Sequence, residues 1–349
     1  MSELRERKLH FDLLRILAAF SVVMLHSAAQ FWYELDVRST EWVISNSYNA
    51  AFRFGVPIFV MISGAMFLDK NYQLDVKRLF RNNIFRLAMI YIIWSCIYGL
   101  YDCSNFGWEV LGAKDILREM ISGRYHLWFL PMLIGIYVLL PVLKRWVEHA
   151  EKKELQYFLM LFFLLQICGE TVKTLTVTDE LEYLIDLGKV EMVCGYIGYF
   201  VLGYYLTHIG VSKKMCRWFY VLCIPAIISN IVGGTLLIWR DGITTIFYDS
   251  YGIFTFIITT ALFLYTIEKG KTLSVNEKTS RMIREMSADT LGAYVMHVGL
   301  MEYLADRGIH SMSLPNIIGI PLFSLLCFFI CMILAALLRR IPVIGRFFC

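Results

Sequence analysis

"FDLLRILAAFSVVMLHS", residues 11–27, is an apolar run with an arginine near its start and a histidine near its end. In a helix, Arg15 and His26 are eleven residues apart, which is about three turns and a rise of roughly 16 Å. Both side chains therefore share one face, with Ala19 and Val22 between them. A segment this long and this apolar reads as a membrane span. A permanent cation then sits near one surface and a titratable imidazole lies at depth. Neither group is stable in hydrocarbon alone, so the pair asks for a functional explanation.

The rest of the chain continues that reading. Of 349 residues, 58% are hydrophobic and 18% charged, against about 45–50% and about 25% in soluble domains. The excess arrives in blocks that approach or exceed the ~20 residues needed to cross a bilayer. The formal charge of +4 is dispersed over short loops and carries no nucleic-acid signature. Nine cysteines form no C-x-x-C pair and no Cys/His metal spacing, so they read as small apolar packing residues and no metal is expected.

Ten spans can be placed, at 13–33, 52–68, 84–103, 126–143, 155–169, 190–207, 217–239, 251–267, 289–304 and 316–338. They make an all-α polytopic membrane protein, with residues 1–349 as a single membrane domain and no attached soluble domain expected. Orientation follows from the basic residues. The N-terminus, the even-to-odd connections and the tail together hold 23 of them, and the opposite side holds nine, Arg38, Arg53 and Arg124 among these. Under the positive-inside rule both termini are cytoplasmic. The long outer connections, 104–125 and 170–189, suit either a polar partner or plain solvation.

Polar groups inside or beside the spans are the functional candidates. His26 is either a helix-to-helix hydrogen-bonding residue or a general base at depth, since an imidazole accepts and returns a proton near neutrality. Asp12 lies one turn before Arg15 on the same helix and can orient or neutralise it, or simply mark a helix start. "KRLFRNNIFRL", residues 77–87, precedes the third span and carries Arg78, Arg81 and Arg86. Such a cluster either anchors the helix to the cytoplasmic surface or holds phosphates, because guanidinium forks match phosphate oxygens. "YHLWFLPMLIGIYVLLP", residues 125–141, sets His126 and Trp128 at the outer face, with Pro131 and Pro141 expected to kink or end the span. "LGAYVMH", residues 291–297, puts Tyr294 and His297 one turn apart. Ser63 and Gly64 in "FVMISGAMFL", and Gly203 in "YFVLGYYL", read as close helix contacts.

Taken in order, "FDLLRILAAFSVVMLHS", "FGVPIFVMISGAMFL", "FRNNIFRLAMIYIIWS", "YHLWFLPMLIGIYVLLPVL", "GYFVLGYYL" and "LGAYVMHVGL" resemble the acyltransferase-3 family of bacterial integral membrane acyltransferases. The branch with O-acetyltransferases of enterobacterial common antigen is similar, as is the membrane half of vancomycin-resistance serine racemases. The resemblance implies a multi-pass protein of the bacterial plasma membrane that moves an acyl group, usually acetyl from cytosolic acetyl-CoA, to a hydroxyl of a surface or lipid-linked glycan. It maps Arg15 and His26 onto the family's first-span pair, and Tyr294 and His297 onto its late Tyr-x-x-His. The family's Arg-x-x-Arg falls on residues 83 and 86, where this chain has Asn83 and Arg86; Arg78 and Arg81 restore the spacing five residues earlier.

The mechanism so implied has coenzyme A phosphates on Arg78, Arg81 and Arg86, and His26 as base or acyl carrier. The glycan enters from outside past His126 and Trp128. A small-molecule transporter of the same fold, for a serine-like solute, is the main alternative; a structural partner in glycan export is the other. An inverted-repeat transporter would show paired broken helices in its two halves.

Overall fold

The computed structural model describes residues 8–106, 114, 118, 120, 121, 123–175, 195–242, 248–270, 272–342 and 344–348. Most of the two long outer connections, including Asp179, Glu180, Glu182 and Asp186, therefore lies outside the described residues.

Every described element is helical. The first helix, α1 (Leu9–Ala29), is followed by α2 (Thr40–Ala51) and α3 (Gly55–Phe67). A short α4 (Val76–Leu79) runs through a π-helical turn, Phe80–Ile84, into α5 (Phe85–Phe106). A 3-10 turn, Tyr125–Trp128, opens α6 (Phe129–His149). Then come α7 (Lys152–Leu161), a π turn at Phe162–Cys168, α8 (Gly169–Leu175) and α9 (Gly195–Tyr204), which ends in a third π turn, Tyr205–Ile209. The chain closes with α10 (Lys213–Asp241), α11 (Ile253–Gly270), α12 (Glu277–Ala305), α13 (Asn316–Arg339) and α14 (Ile344–Phe348).

Helical structure occupies part or all of each predicted range. Among the described residues, eight helical stretches are long and apolar enough to cross a membrane. The chain is thus an all-α polytopic membrane protein. The other two predicted ranges fall on α9 with its π turn and on α12. In α12 the polar charges Arg281, Arg284, Glu285, Asp289 and Glu302 dilute the apolar residues.

Two expectations need correction. Of the kink or end expected at Pro131 and Pro141, the end does not occur. Pro131 lies in the first turn of α6, where its missing N–H is no loss, and the helix continues past Pro141 to His149. The second span is also longer than its apolar core suggested. Thr40–Phe67 forms one 28-residue apolar stretch, broken only by turn residues at 52–54. Ser39 caps its start by accepting from the Trp42 N–H. The break places Arg53 inside that stretch; the sequence reading counted it on the outer side, at the start of the span 52–68.

The site is built where α1 packs on α3, α12 and α13. Close approach of α3 and α9 sets this geometry, as the small residues foretold. A Cβ on Gly64 would collide with the Phe200 carbonyl, and one on Gly203 with the Met61 carbonyl. Gly203→Val should therefore lower the melting temperature of the detergent-purified protein, with a cost of about 1–3 kcal/mol from overpacking. Gly135→Ala, whose new methyl meets nothing within 4 Å, should melt like the parent; equal melting of all three proteins would refute the packing assignment.

Candidate active site

Asp12, Arg15, Ala19, Val22 and His26 line one face of α1. Asp12 is fully buried, and its Oδ1 accepts from Ser287 Oγ of α12 at 2.7 Å and from Arg15 Nη1 at 3.3 Å. The pairing left open by the sequence is present: a buried carboxylate is tolerated because a hydroxyl and a guanidinium both meet it. Arg15 also lies against Met66 Sδ at 2.7 Å.

Next to Arg15 is a cavity of about 280 Å³. Asn82, Asn83 and Arg86, from the π turn and the start of α5, line it on one side, and Ser287 and Leu291 of α12 on another. Phe129 and Tyr294 also line it; Tyr294 is seven residues beyond Ser287, about 10 Å further along α12. Of the three candidate phosphate-binding arginines, Arg86 is on the wall. Arg78 and Arg81 are exposed, outside the lining. Residues 83 and 86, where the resemblance places an Arg-x-x-Arg, both line the cavity, and position 83 presents an amide there. π turns widen a helix by one residue and recur at functional sites; here one brings Asn82 and Asn83 to the same wall.

Beyond Tyr294 stand three histidines. His26 Nδ1 lies 2.7 Å from His297 Nε2, with the rings stacked at 4.9 Å. His126 packs edge-on to His297 at 5.1 Å and to His26 at 6.2 Å. His126 and His297 are buried, at 1% and 0% exposure, whereas His26 is partly accessible. The tyrosines fix this arrangement. Tyr294 donates its hydroxyl to the His126 carbonyl. Tyr98 donates to the Val295 carbonyl at 2.8 Å and accepts from the Gly299 N–H at 3.0 Å.

The hydrogen bonds assign the tautomers. His297 Nδ1 is 2.5 Å from the Tyr294 carbonyl, which can only accept, so that nitrogen carries the proton. With the ring neutral, His297 Nε2 is then an acceptor. His26 Nδ1 must donate to it, and His26 Nε2 is left with a free lone pair. Orientation of one base by a second group is the general logic of an activated nucleophile or base. Among the described residues, no group of three His, Cys, Asp or Glu side chains is placed to hold a metal ion.

Of the predicted site residues, the structure brings His26, His126, Tyr294 and His297 together, and Asp12, Arg15 and Arg86 beside the cavity. Trp128 is apart from them, half exposed and packed on Tyr196 at 5.6 Å. Sequence reasoning missed Tyr98 and Asn82, and noted Asn83 only as a departure from the Arg-x-x-Arg pattern. It also missed an ion cluster next to the histidines, in which Arg124 donates to Asp102 Oδ2 and Glu302 Oε2, each at 2.6 Å, and lies over the Tyr98 ring. Its members come from three distant segments, so no local spacing announces it; the one local sign is Arg124 directly before "YHLW".

This geometry coincides with a family match. The model of the acyltransferase-3 family, described as an acyltransferase domain, matches residues 9–337. The chain belongs to that family and is a membrane acyltransferase. No curated protein and no solved structure matches it.

If His297 sets the tautomer of His26, His297→Leu should lower the acyl-transfer rate by about 10²-fold or more. His297→Gln, whose amide oxygen can accept the same proton, should retain more activity than the leucine variant. Initial-rate measurements on purified protein decide this, and two equally active variants would remove the relay.

Proposed function

We propose that this protein transfers acetyl from cytosolic acetyl-CoA to a hydroxyl of a surface or lipid-linked glycan, at the bacterial plasma membrane. The observation that supports this most is the alignment of three features: a cationic cavity with Arg15 and Arg86, the Tyr294 wall, and behind it an imidazole with an unoccupied Nε2.

At about 280 Å³, the cavity lies just below the range of drug-sized ligand sites. It suits the thin pantetheine arm and not the nucleotide. The nucleotide phosphates then stay at the mouth, where Arg86 lines the wall and the exposed Arg78 and Arg81 lie close in sequence. Basic residues concentrated on the same predicted side favour a cytosolic donor.

In the reaction, the acceptor hydroxyl gives its proton to His26 Nε2 as its oxygen attacks the thioester carbonyl. The carbon–sulfur bond breaks, and the departing thiolate takes the proton back from the imidazolium. His26 Nδ1 keeps its hydrogen bond to His297 throughout, which stabilises the transient positive charge. Tyr294 stands between donor cavity and histidines, so the thioester must displace that ring or pass beside it. Family membership gives no support to the transporter reading.

In purified protein, His26→Ala should reduce acetyl transfer by about 10²–10⁴-fold. Arg86→Ala should raise KM for acetyl-CoA by about tenfold or more, the effect of losing one hydrogen bond to a charged group, with a smaller change in kcat. Steady-state kinetics with labelled acetyl-CoA gives both values. Full turnover in the His26 variant would end the assignment.

A further inference from the structure

Arg53 was counted on the outer side in the sequence, at the start of the span 52–68. It occupies the break between α2 and α3, within the 28-residue apolar stretch. Its depth follows from its neighbour. A Cβ on Gly55 would meet Ala18, Ser21 and Val22 of α1, so α3 starts against that part of α1. Residue 53, two positions toward the outer end of the antiparallel pair, is then about level with Val22, one turn of α1 before His26.

Three other arginines in this bundle have carboxylates. Arg15 meets Asp12, Arg124 meets Asp102 and Glu302, and Arg339 meets Glu285 and Asp289. Among the described residues Arg53 makes no ion pair; its guanidinium lies over the Tyr248 ring, 4.9 Å from the centroid. Its Nε is buried without a hydrogen-bond partner. The nearby polar network does not serve it. Tyr248 donates to Asn46 Oδ1 at 2.7 Å, Trp32 donates to the same oxygen at 3.2 Å, and Asn46 Nδ2 donates to Thr235 at 3.0 Å. Those groups satisfy one another. Asn49, one turn before Arg53 and 3% exposed, has a buried Oδ1 that meets no donor.

An ionised group left unpaired at membrane depth is costly, and such residues mark ligand sites. The N-terminus of α3 adds a further partial positive charge at the same place. The cavity with Arg15 and Arg86 has Tyr294 in its lining, and Arg53, at the α2–α3 break, is not among the residues that line it. It is therefore on the acceptor's side.

We infer that Arg53 binds an anionic group, a carboxylate or a phosphate, on the molecule that receives the acyl chain, with Asn49 taking one of its hydroxyls. The acceptor is an acidic or phosphorylated saccharide, its counter-charge supplied by the break in the second span. This rests on the acyltransferase reading for the word acceptor, and on Arg53 alone for the anion.

The test uses the full chain in phosphatidylcholine nanodiscs, with glucuronate, glucose 1-phosphate and glucose as probes, read by thermal shift over a concentration series. Wild-type protein should bind at least one charged sugar about tenfold or more tightly than glucose. Arg53→Gln should bring that ratio to about one, and Arg53→Lys, which keeps the charge, should keep part of it. Arg38→Gln, altering an exposed arginine over Trp239, should keep the full ratio. Equal binding of charged and neutral sugars by the wild type would overturn the proposal, as would undiminished discrimination in Arg53→Gln. Loss of discrimination when phosphatidylglycerol is added would give the site to a lipid headgroup and also overturn it. A protein that discriminates but never turns over acetyl-CoA keeps the anion site and defeats the proposed acetyl transfer from acetyl-CoA instead.

Discussion

The contact between His26 and His297 is the interaction on which the site depends. It joins residues 271 positions apart, and it forms only because α1 and α12 lie side by side across the bundle. One 2.7 Å hydrogen bond fixes the ring orientation, the tautomer and the direction in which a lone pair points. The backbone carbonyl of Tyr294 anchors the far end at 2.5 Å. A carbonyl does this differently from a carboxylate, since it directs the proton without adding a negative charge that would itself need a partner in the apolar interior.

Buried charge organises the rest. Asp12 would be untenable on α1 alone, and becomes stable between Arg15 and Ser287. Arg124 ties α5 to α12 through Asp102 and Glu302, next to the aromatic rings that enclose the histidines. These ties are expensive to leave half-made, because removing one partner strands the other in low dielectric. They therefore act as registration points that hold three helices at one relative height, while glycine contacts between α3 and α9 set the lateral spacing.

Much of this was legible in the sequence, and the limits were physical. Blocks of apolar residues and the one-sided distribution of lysine and arginine announce a polytopic helical bundle, because the bilayer enforces both. Arg15 and His26 could be put on one face of a helix by counting alone. The partners of His26 could not, since proximity across the bundle leaves no local period. The start of the second span was set too late because a hydropathy reading sees the polar start of Thr40–Phe67 as loop, although Ser39 capping and packing make it helix. Of the basic cluster, only Arg86 lines the cavity, while Arg78 and Arg81 lie outside the lining. Counting from Arg78 and Arg81 restores a spacing, but helical phase decides which residues face the cavity, and these are Asn82, Asn83 and Arg86.

The Tyr294 wall has a consequence for the cell and not only for the chemistry. A cell membrane stores energy as a proton gradient, and any continuous column of water through a protein would drain it. Tyr294 lines the polar cavity beside Arg15 and also packs on His126 of the histidine cluster, so it stands where the two meet. Tyr294, buried and clamped to the His126 carbonyl, puts an aromatic ring at that junction, where it would interrupt such a column.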